Sequence, residues 1–280
     1  MSVKALWGFL GIGFFLLLGY ITWPYYGGFV MSKAYPVFQT YEEKQLDRYT
    51  TNDLVQKQGN VQLYYRIEDQ EYVSQVLQLA QEAFGILNGY FPSHIEHVDI
   101  ILYPSLHSLQ QQLRISPGAD VLGAYYGKRI NVLSPRAWKV GDRFSYDQDQ
   151  LKNTVLHEMA HMFVDVLAQG NFPLWFTEGT ALYIEYDTLD YEWAADVSMK
   201  KLFSVDELDA RLNSKDGNLA YRQSFLMVRK LVETGGKKKL LDLIKEAGQG
   251  ISFDNSVKDI YGYNIRQLGD RLQVELNTQK

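Results

Sequence analysis

Two histidines four residues apart, with a glutamate directly after the first, are the residues of this sequence best suited to chemistry. They form the segment HEMAH, in which His157, Glu158 and His161 carry the functional groups. On an α-helix, residues i and i+4 lie on one face about 6 Å apart, so both imidazoles can direct a ring nitrogen at one zinc ion. Glu158 is rotated about 100° from His157. It therefore points away from the shared ligand position, but it can reach a water beside the ion and act as a general base.

A catalytic zinc ion also needs a third protein ligand and a position left open for water. No histidine follows His161 in the sequence, so this ligand is either a downstream carboxylate or an upstream histidine. Gly170 can end the first helix and Pro173 can begin the next, and so short a connection predicts two antiparallel helices. Glu178 would then lie close to His161, and we favour it as the third ligand. The alternatives are Glu185, Asp187 and Asp165.

HEMAH and the downstream segment PLWFTEGTA together resemble the gluzincin metallopeptidases, in particular the peptidase MA-like family with its HExxH…WFxEG pattern. The resemblance extends over about residues 60–270. It implies a zinc-dependent peptidase with His157, His161 and Glu178 as metal ligands and Glu158 as the base. It also implies that Tyr221 stabilises the oxyanion, although ordinary packing is an equal alternative for one of 20 tyrosines.

The sequence departs from the family pattern at Leu182. Many gluzincins have an acidic residue at this position, four after the ligand glutamate, and it holds one of the histidines. Asp165 or Glu185 could take over this role. Without such a partner the metal affinity would fall, and a second hypothesis then applies: a catalytically degenerate, membrane-tethered binding or assembly protein.

The order of the segments that position these residues predicts an α+β fold, because strand-like segments come first and helical segments follow. Strands are expected at 61–67, 97–104 and 123–135, the last as a pair or one long strand with Gly127 at a turn. A helical pattern covers 70–91. Further helices are expected at about 148–169, 173–186, 191–201, 204–212, 217–234, 236–247 and 264–277.

One zincin-like domain is therefore expected at 59–280, with a mixed sheet subdomain facing a mostly helical subdomain across a cleft. An extended peptide substrate could add to an edge strand within 122–134. Gly179 is expected where two helices, or a helix and the substrate, come close. For the aromatic segment Tyr183 to Trp193, helix packing is favoured over a place in the cleft.

Composition excludes several other classes of protein. The chain has 280 residues, no cysteine and a net charge of −5. Disulfides, thiol catalysis and cysteine-ligated zinc are thereby excluded, and no basic block indicates nucleic-acid binding. The three other histidines lack ligand spacing to one another and are expected to be structural; they are His94, His97 and His107.

The N-terminal segment predicts a membrane anchor. Residues 5–32 contain no charge, and their core, residues 5–23, is 19 residues long, close to the roughly 20 apolar residues of a transmembrane helix. A cleaved signal peptide is the alternative, but the residues around Pro24 lack the small-residue cleavage pattern. We therefore expect an anchor at 1–23, a juxtamembrane linker at 24–58 and an extracytoplasmic catalytic domain. The predicted function is a single-pass, cell-membrane zinc metallopeptidase that cleaves peptides or proteins.

Overall fold

The computed structural model describes residues 35–92, 95–117, 119–138 and 147–278. Within these ranges the strands are β1 (Leu54–Gln58), β2 (Val61–Tyr65), β3 (Val98–Tyr103), β4 (Gly123–Tyr126) and β5 (Arg129–Leu133). The first helix, α1, covers 35–49. The later helices are α2 (Val73–Tyr90), α3 (Leu106–Leu113), α4 (Pro135–Trp138), α5 (Gln148–Ala168), α6 (Leu174–Leu189), α7 (Val205–Leu212), α8 (Gly217–Ala247), α9 (Phe253–Tyr261) and α10 (Ile265–Thr278). Short 3-10 helices cover Thr50–Asn52 and Ile67–Tyr72.

The five strands form one mixed sheet in the order β1-β2-β3-β5-β4. β3 lies parallel to both β2 and β5, and the two outer pairs are antiparallel. Every residue of β5 is buried, as expected for a strand covered on both faces. β4 and β5 join through Gly127 and Lys128, whose φ angles of 58° and 60° suit a tight two-residue hairpin. The predicted strand pair with a turn at Gly127 is confirmed.

Helix α5 connects the sheet to the helical part of the chain. It packs against β4 and β5, against α2, and against α6 and α8. The rings of Phe84 in α2 and Phe163 in α5 meet edge to face, with centroids 5.8 Å apart. The predicted α+β layout, with a sheet followed by mostly helical structure, is therefore confirmed.

Close packing against α8 holds α6 in place. A Cβ atom at Gly179 would overlap the backbone carbonyl of Ser224 in α8, so only glycine fits where these helices meet. The start of α6 is capped by Asp209 of α7, whose carboxylate accepts from the backbone N–H of Trp175 at 2.7 Å and of Leu174 at 3.0 Å. The expectation of a close helix approach at Gly179 is confirmed.

In the helical part of the chain, one predicted helix is replaced by irregular structure and one observed helix was not predicted. Residues 191–201 form turns and irregular chain instead of a helix. Asp190 and Ala194 have positive φ angles of 53° and 52°, which a helix does not contain. Helix α9 was not predicted, although its buried residues Phe253, Val257 and Tyr261 follow helical spacing.

The domain also begins earlier than expected. Residues 35–58, assigned to the juxtamembrane linker, form α1 and β1. Leu46 of α1 is fully buried, and β1 pairs with β2 along its whole length. The polar sequence of β1, LVQKQ, is mostly exposed and therefore lacks the alternation that indicates a strand. The predicted anchor at 1–23 lies outside the described residues, and within those residues no helix has the length and apolar character needed to span a bilayer.

Candidate metal centre

Helices α5 and α6 run antiparallel and place the residues of both motifs side by side. His161 meets Thr177 near the start of α6, and His157 meets Glu185 near its end. The connection between the helices is fixed by Asn171, whose side-chain N–H groups donate to the carbonyls of Ala247 at 2.7 Å and Ile251 at 2.6 Å. The antiparallel arrangement predicted from the short connection is therefore present.

Three side chains converge on one point between these helices. Nε2 of His157 lies 3.3 Å from Oε2 of Glu178, and Nε2 of His161 lies 3.6 Å from the same oxygen. The ligand atoms of all three residues lie within 4.8 Å of one another. Donor atoms around a tetrahedral zinc ion with bonds near 2.0–2.2 Å are about 3.3–3.6 Å apart. The residue types and their spacing therefore fit a zinc ion.

The other ring nitrogen of each histidine is held by a buried side chain. Nδ1 of His157 donates to the carboxylate oxygen Oε1 of Glu185 at 2.5 Å, and Nδ1 of His161 lies within hydrogen-bond distance, 2.7 Å, of the hydroxyl oxygen of Thr177. With a proton on Nδ1 of each ring, a metal ion bound at the centre would take the lone pair of each Nε2, the nitrogen directed at Glu178. Outer partners of this kind fix the tautomer and the ring orientation of metal-binding histidines.

Glu185 therefore makes the contact with His157 that was expected of an acid at position 182. It lies seven residues, about two helical turns, after Glu178 on the same face of α6, and this spacing is visible in the sequence. Thr177 was not identified from the sequence, where a threonine beside a candidate ligand carries no distinctive signal.

Electrostatics at the centre favour a positive charge. Burial by itself lowers the pKa of His157, but hydrogen bonds to Glu178 and Glu185 outweigh burial and raise this pKa well above its usual range. Burial by itself raises the pKa of Glu178, but the imidazoles of His161 and His157 lower it far below its usual range. A divalent cation would satisfy the carboxylate of Glu178 and the Nε2 atoms of both rings.

Glu158 lies beside the three ligand residues and is held by the edge strand β4. The backbone N–H of Tyr125 donates to Oε2 of Glu158 at 2.8 Å. A Cβ atom at Gly123 would be 2.9 Å from Cγ of Glu158 and 2.8 Å from Cγ2 of Thr154, so glycine allows β4 to approach α5 here. Burial raises the pKa of Glu158 above its ordinary value, which suits a general base. Neither Tyr125 nor Gly123 was identified from the sequence.

A cavity of about 610 Å³ opens onto the centre. It is lined by β4, α5 and α6, and by Tyr221 of α8. Burial raises the pKa of Tyr221, and the nearby carboxylates of Glu178 and Glu158 raise it further, so its hydroxyl stays protonated and able to donate.

Aromatic residues after α6 complete the cavity. Tyr191 and Trp193 both line it, and the ring centroid of Trp193 is 5.6 Å from that of Tyr221. Helix packing was favoured for this segment, but the chain leaves its helix at Asp190 and turns these rings toward the cavity. Arg222 of α8 holds the segment through the backbone carbonyl of Trp193 at 3.4 Å.

The remaining candidates are placed elsewhere. Asp187 contacts Tyr90 and Lys237 away from the centre. Asp165 is buried one turn after His161, but its hydrogen bonds go to other elements. His97 and His107 are exposed, and His94 lies outside the described residues.

Comparisons with known proteins agree with this geometry. A family model described as the Peptidase MA superfamily matches residues 144–278, a range that contains His157, Glu158, His161 and Glu178. The chain is also similar to the uncharacterized protein YhcO of Bacillus subtilis (strain 168), with 26% identity over 226 residues, which cover 74% of this chain and 66% of the relative. The chain thus spans slightly less than two thirds of that relative's length. The family match supports a relation to zincin-like peptidases.

Proposed function

We propose that the protein is a zinc-dependent metallopeptidase of the gluzincin type. In this proposal His157, His161 and Glu178 bind the ion and Glu158 is the catalytic base. The supporting observation is the convergence of two Nε2 atoms and one carboxylate oxygen while separate side chains hold both Nδ1 atoms. A chance HExxH segment would have no reason to direct both Nε2 atoms and a downstream carboxylate at one point.

Each side chain has a defined part in peptide hydrolysis. A bound zinc ion would act as a Lewis acid and lower the pKa of a water to about 7. The carboxylate of Glu158 takes a proton from the attacking water and then gives it to the leaving amine. The N–H of Tyr125 holds Oε2 of Glu158, which leaves Oε1 for the proton transfer. Tyr221 donates from its hydroxyl to the developing oxyanion.

The substrate is proposed to bind as an extended strand along β4. This strand lies at the edge of the sheet, and the N–H of Tyr125 points toward its free side, where Glu158 accepts it. A peptide would pair with outward-facing backbone groups of β4 other than the N–H of Tyr125, which Glu158 occupies, and would pass beside the centre. Peptides carrying a photo-crosslinker are expected to label 122–126, and labelling confined to other segments would contradict this binding mode.

We also propose that residues 5–23 anchor the protein in the cell membrane, with the catalytic domain on the extracytoplasmic side. The uncharged run of 19 residues supports the anchor. Protein that resists alkaline extraction from membranes, and that is digested by protease added outside intact cells, is the expected result. Release by alkali would contradict the anchor.

The test of the proposed activity compares wild type with Glu158→Gln on an unstructured protein substrate, after the zinc content has been measured. The substitution keeps the size of the side chain and the metal ligands but removes the base, so cleavage should fall roughly 10²-fold or more with zinc retained. Glu207→Gln, at an exposed glutamate on α7, is the matched control and should cleave normally.

The same comparison tests the non-catalytic alternative. That hypothesis depended on Leu182, and the contact between Glu185 and His157 argues against it because it gives His157 a carboxylate partner. If wild type binds zinc but cleaves no faster than Glu158→Gln, the protein is a degenerate family member. If wild type binds no zinc, the metal site itself is wrong.

A further inference from the structure

A buried carboxylate next to the metal centre has partners on two other elements. Asp165 in α5 is 1% exposed and lies one turn after His161. Its oxygens accept from the hydroxyl of Tyr125 at 2.7 Å, from the amide of Gln39 at 2.5 Å and from the hydroxyl of Tyr35. A carboxylate buried without such donors would be strongly destabilising, so these three contacts stabilise Asp165 in its buried position.

Two of the donors come from α1. Tyr35 and Gln39 are four residues apart and therefore share one helix face. The ring of Tyr35 also packs on Gly170, where an added Cβ atom would be 2.8 Å from Cγ of Tyr35. Gly170 lies in the connection between α5 and α6, so α1 docks at the junction of the two helices that carry the metal ligands.

The third donor belongs to the edge strand. Tyr125 reaches Asp165 with its hydroxyl and Glu158 with its backbone N–H. A continuous chain of contacts therefore runs from α1, through Asp165 and Tyr125, to the proposed catalytic base. β4 has four residues and, within the described part of the chain, pairs with β5 alone. The side chain of Asn131 in β5 adds hydrogen bonds to the carbonyls of Ala124 and Tyr126, so the contact through Tyr125 is what ties the strand to α5 and α1.

We propose that α1 is a positioning element of the active site: Tyr35 and Gln39 hold Asp165, which holds β4 against α5. The edge strand is thereby fixed where it orients Glu158 and receives the substrate. Tyr35, Gln39 and Asp165 are positioning residues, because they act through Tyr125. The catalytic part of this inference rests on the proposed peptidase function, but the structural part does not.

The first test is hydrogen–deuterium exchange of the full-length, zinc-loaded protein in detergent. Tyr35→Phe removes one hydrogen bond to a buried carboxylate and is expected to speed exchange of 122–126 about tenfold, with little change in β3. Asp165→Asn should have a larger effect. Tyr41→Phe removes a hydroxyl from the exposed face of the same helix and serves as the matched control. Unchanged exchange at 122–126 in both Tyr35→Phe and Asp165→Asn would overturn the proposal.

The second test is kinetic and uses the same variants. Loosening β4 is expected to raise KM and lower kcat together, by about tenfold in kcat/KM for Tyr35→Phe, at unchanged zinc content. Because the hydroxyl of Tyr125 acts on β4 through its single contact with Asp165, adding Tyr125→Phe to Asp165→Asn should cause little further loss. Faster exchange with unchanged kcat/KM would overturn the positioning role. A wild type that cleaves nothing would instead overturn the proposed function, and the exchange result would still decide whether α1 holds β4.

Discussion

The contact between Glu185 and His157 predicts a specific loss of zinc affinity. The carboxylate of Glu185 is 5% exposed and accepts from Nδ1 of His157 at 2.5 Å. In Glu185→Gln the side chain keeps its size and can still offer a carbonyl oxygen, but the negative charge is lost. In Glu185→Leu the N–H of His157 is left buried without an acceptor, so this second variant should be the more severe.

The size of each effect follows from the type of hydrogen bond that is lost. A hydrogen bond to a charged group contributes about 1.5–3 kcal/mol and a neutral one about 0.5–1.5 kcal/mol. Replacing the first by the second costs about 1–1.5 kcal/mol, or roughly tenfold in the zinc dissociation constant. For Glu185→Leu we expect roughly 100-fold, the upper end of the range for outer partners of metal-binding histidines.

The assay is a competition titration of zinc between the full-length protein and a chromophoric chelator at a fixed pH near neutrality. Asp187→Asn is the matched control, because it also neutralises a carboxylate of α6 but one that contacts Tyr90 and Lys237 away from the centre. Its zinc affinity should equal that of wild type.

Two outcomes would refute the reasoning. Wild-type zinc affinity in both Glu185 variants would mean that this carboxylate does not orient His157 and does not replace the acid absent at Leu182. Equal losses in the Glu185 variants and in Asp187→Asn would mean that charge removal disturbs α6 as a whole, so that the loss says nothing about the hydrogen bond.

Three further predictions concern packing, catalysis and metal removal. Gly179→Ala should lower the free energy of unfolding by about 3 kcal/mol, seen in urea denaturation, because the new methyl overlaps the Ser224 carbonyl; an unchanged midpoint would contradict the close approach of α6 and α8. Tyr221→Phe should lower kcat roughly 10²-fold with little change in KM, and full activity would leave Tyr221 as a packing residue. Chelation of zinc held at 100 times its dissociation constant should remove about 2.7 kcal/mol and lower Tm by about 5–10 °C; an unchanged Tm would argue against a tightly held ion.

Much of the fold could be predicted because the required signals are local. The strands at 61–65, 98–103 and 123–133 show in short apolar runs bounded by turn residues, and α5 and α6 show in their apolar surroundings and in the short connection at Gly170. Residues 24–58 were expected to form a stalk or a partly helical linker, but strand β1 and the docking of α1 were missed because these residues are mostly polar and exposed. β1 joins the domain by pairing with β2. α1 joins it through a few side chains that contact α5.

The sequence alone determined the chemistry of the candidate centre, and the tertiary structure decided how that chemistry is held. The spacing of His157 and His161 depends only on the pitch of a helix, and the position of Glu178 depends on one short turn. The histidine spacing and the position of Glu178 both depend on residues close together in the chain, so they can be predicted from the sequence. The partners of the histidines and of Glu158 are different, because they require specific helix rotations and a strand brought from more than 30 residues away. Tyr125 and Asp165 acquire their roles only when α1, β4 and α5 pack together, since hydrogen bonds between distant segments depend on the whole arrangement of the core.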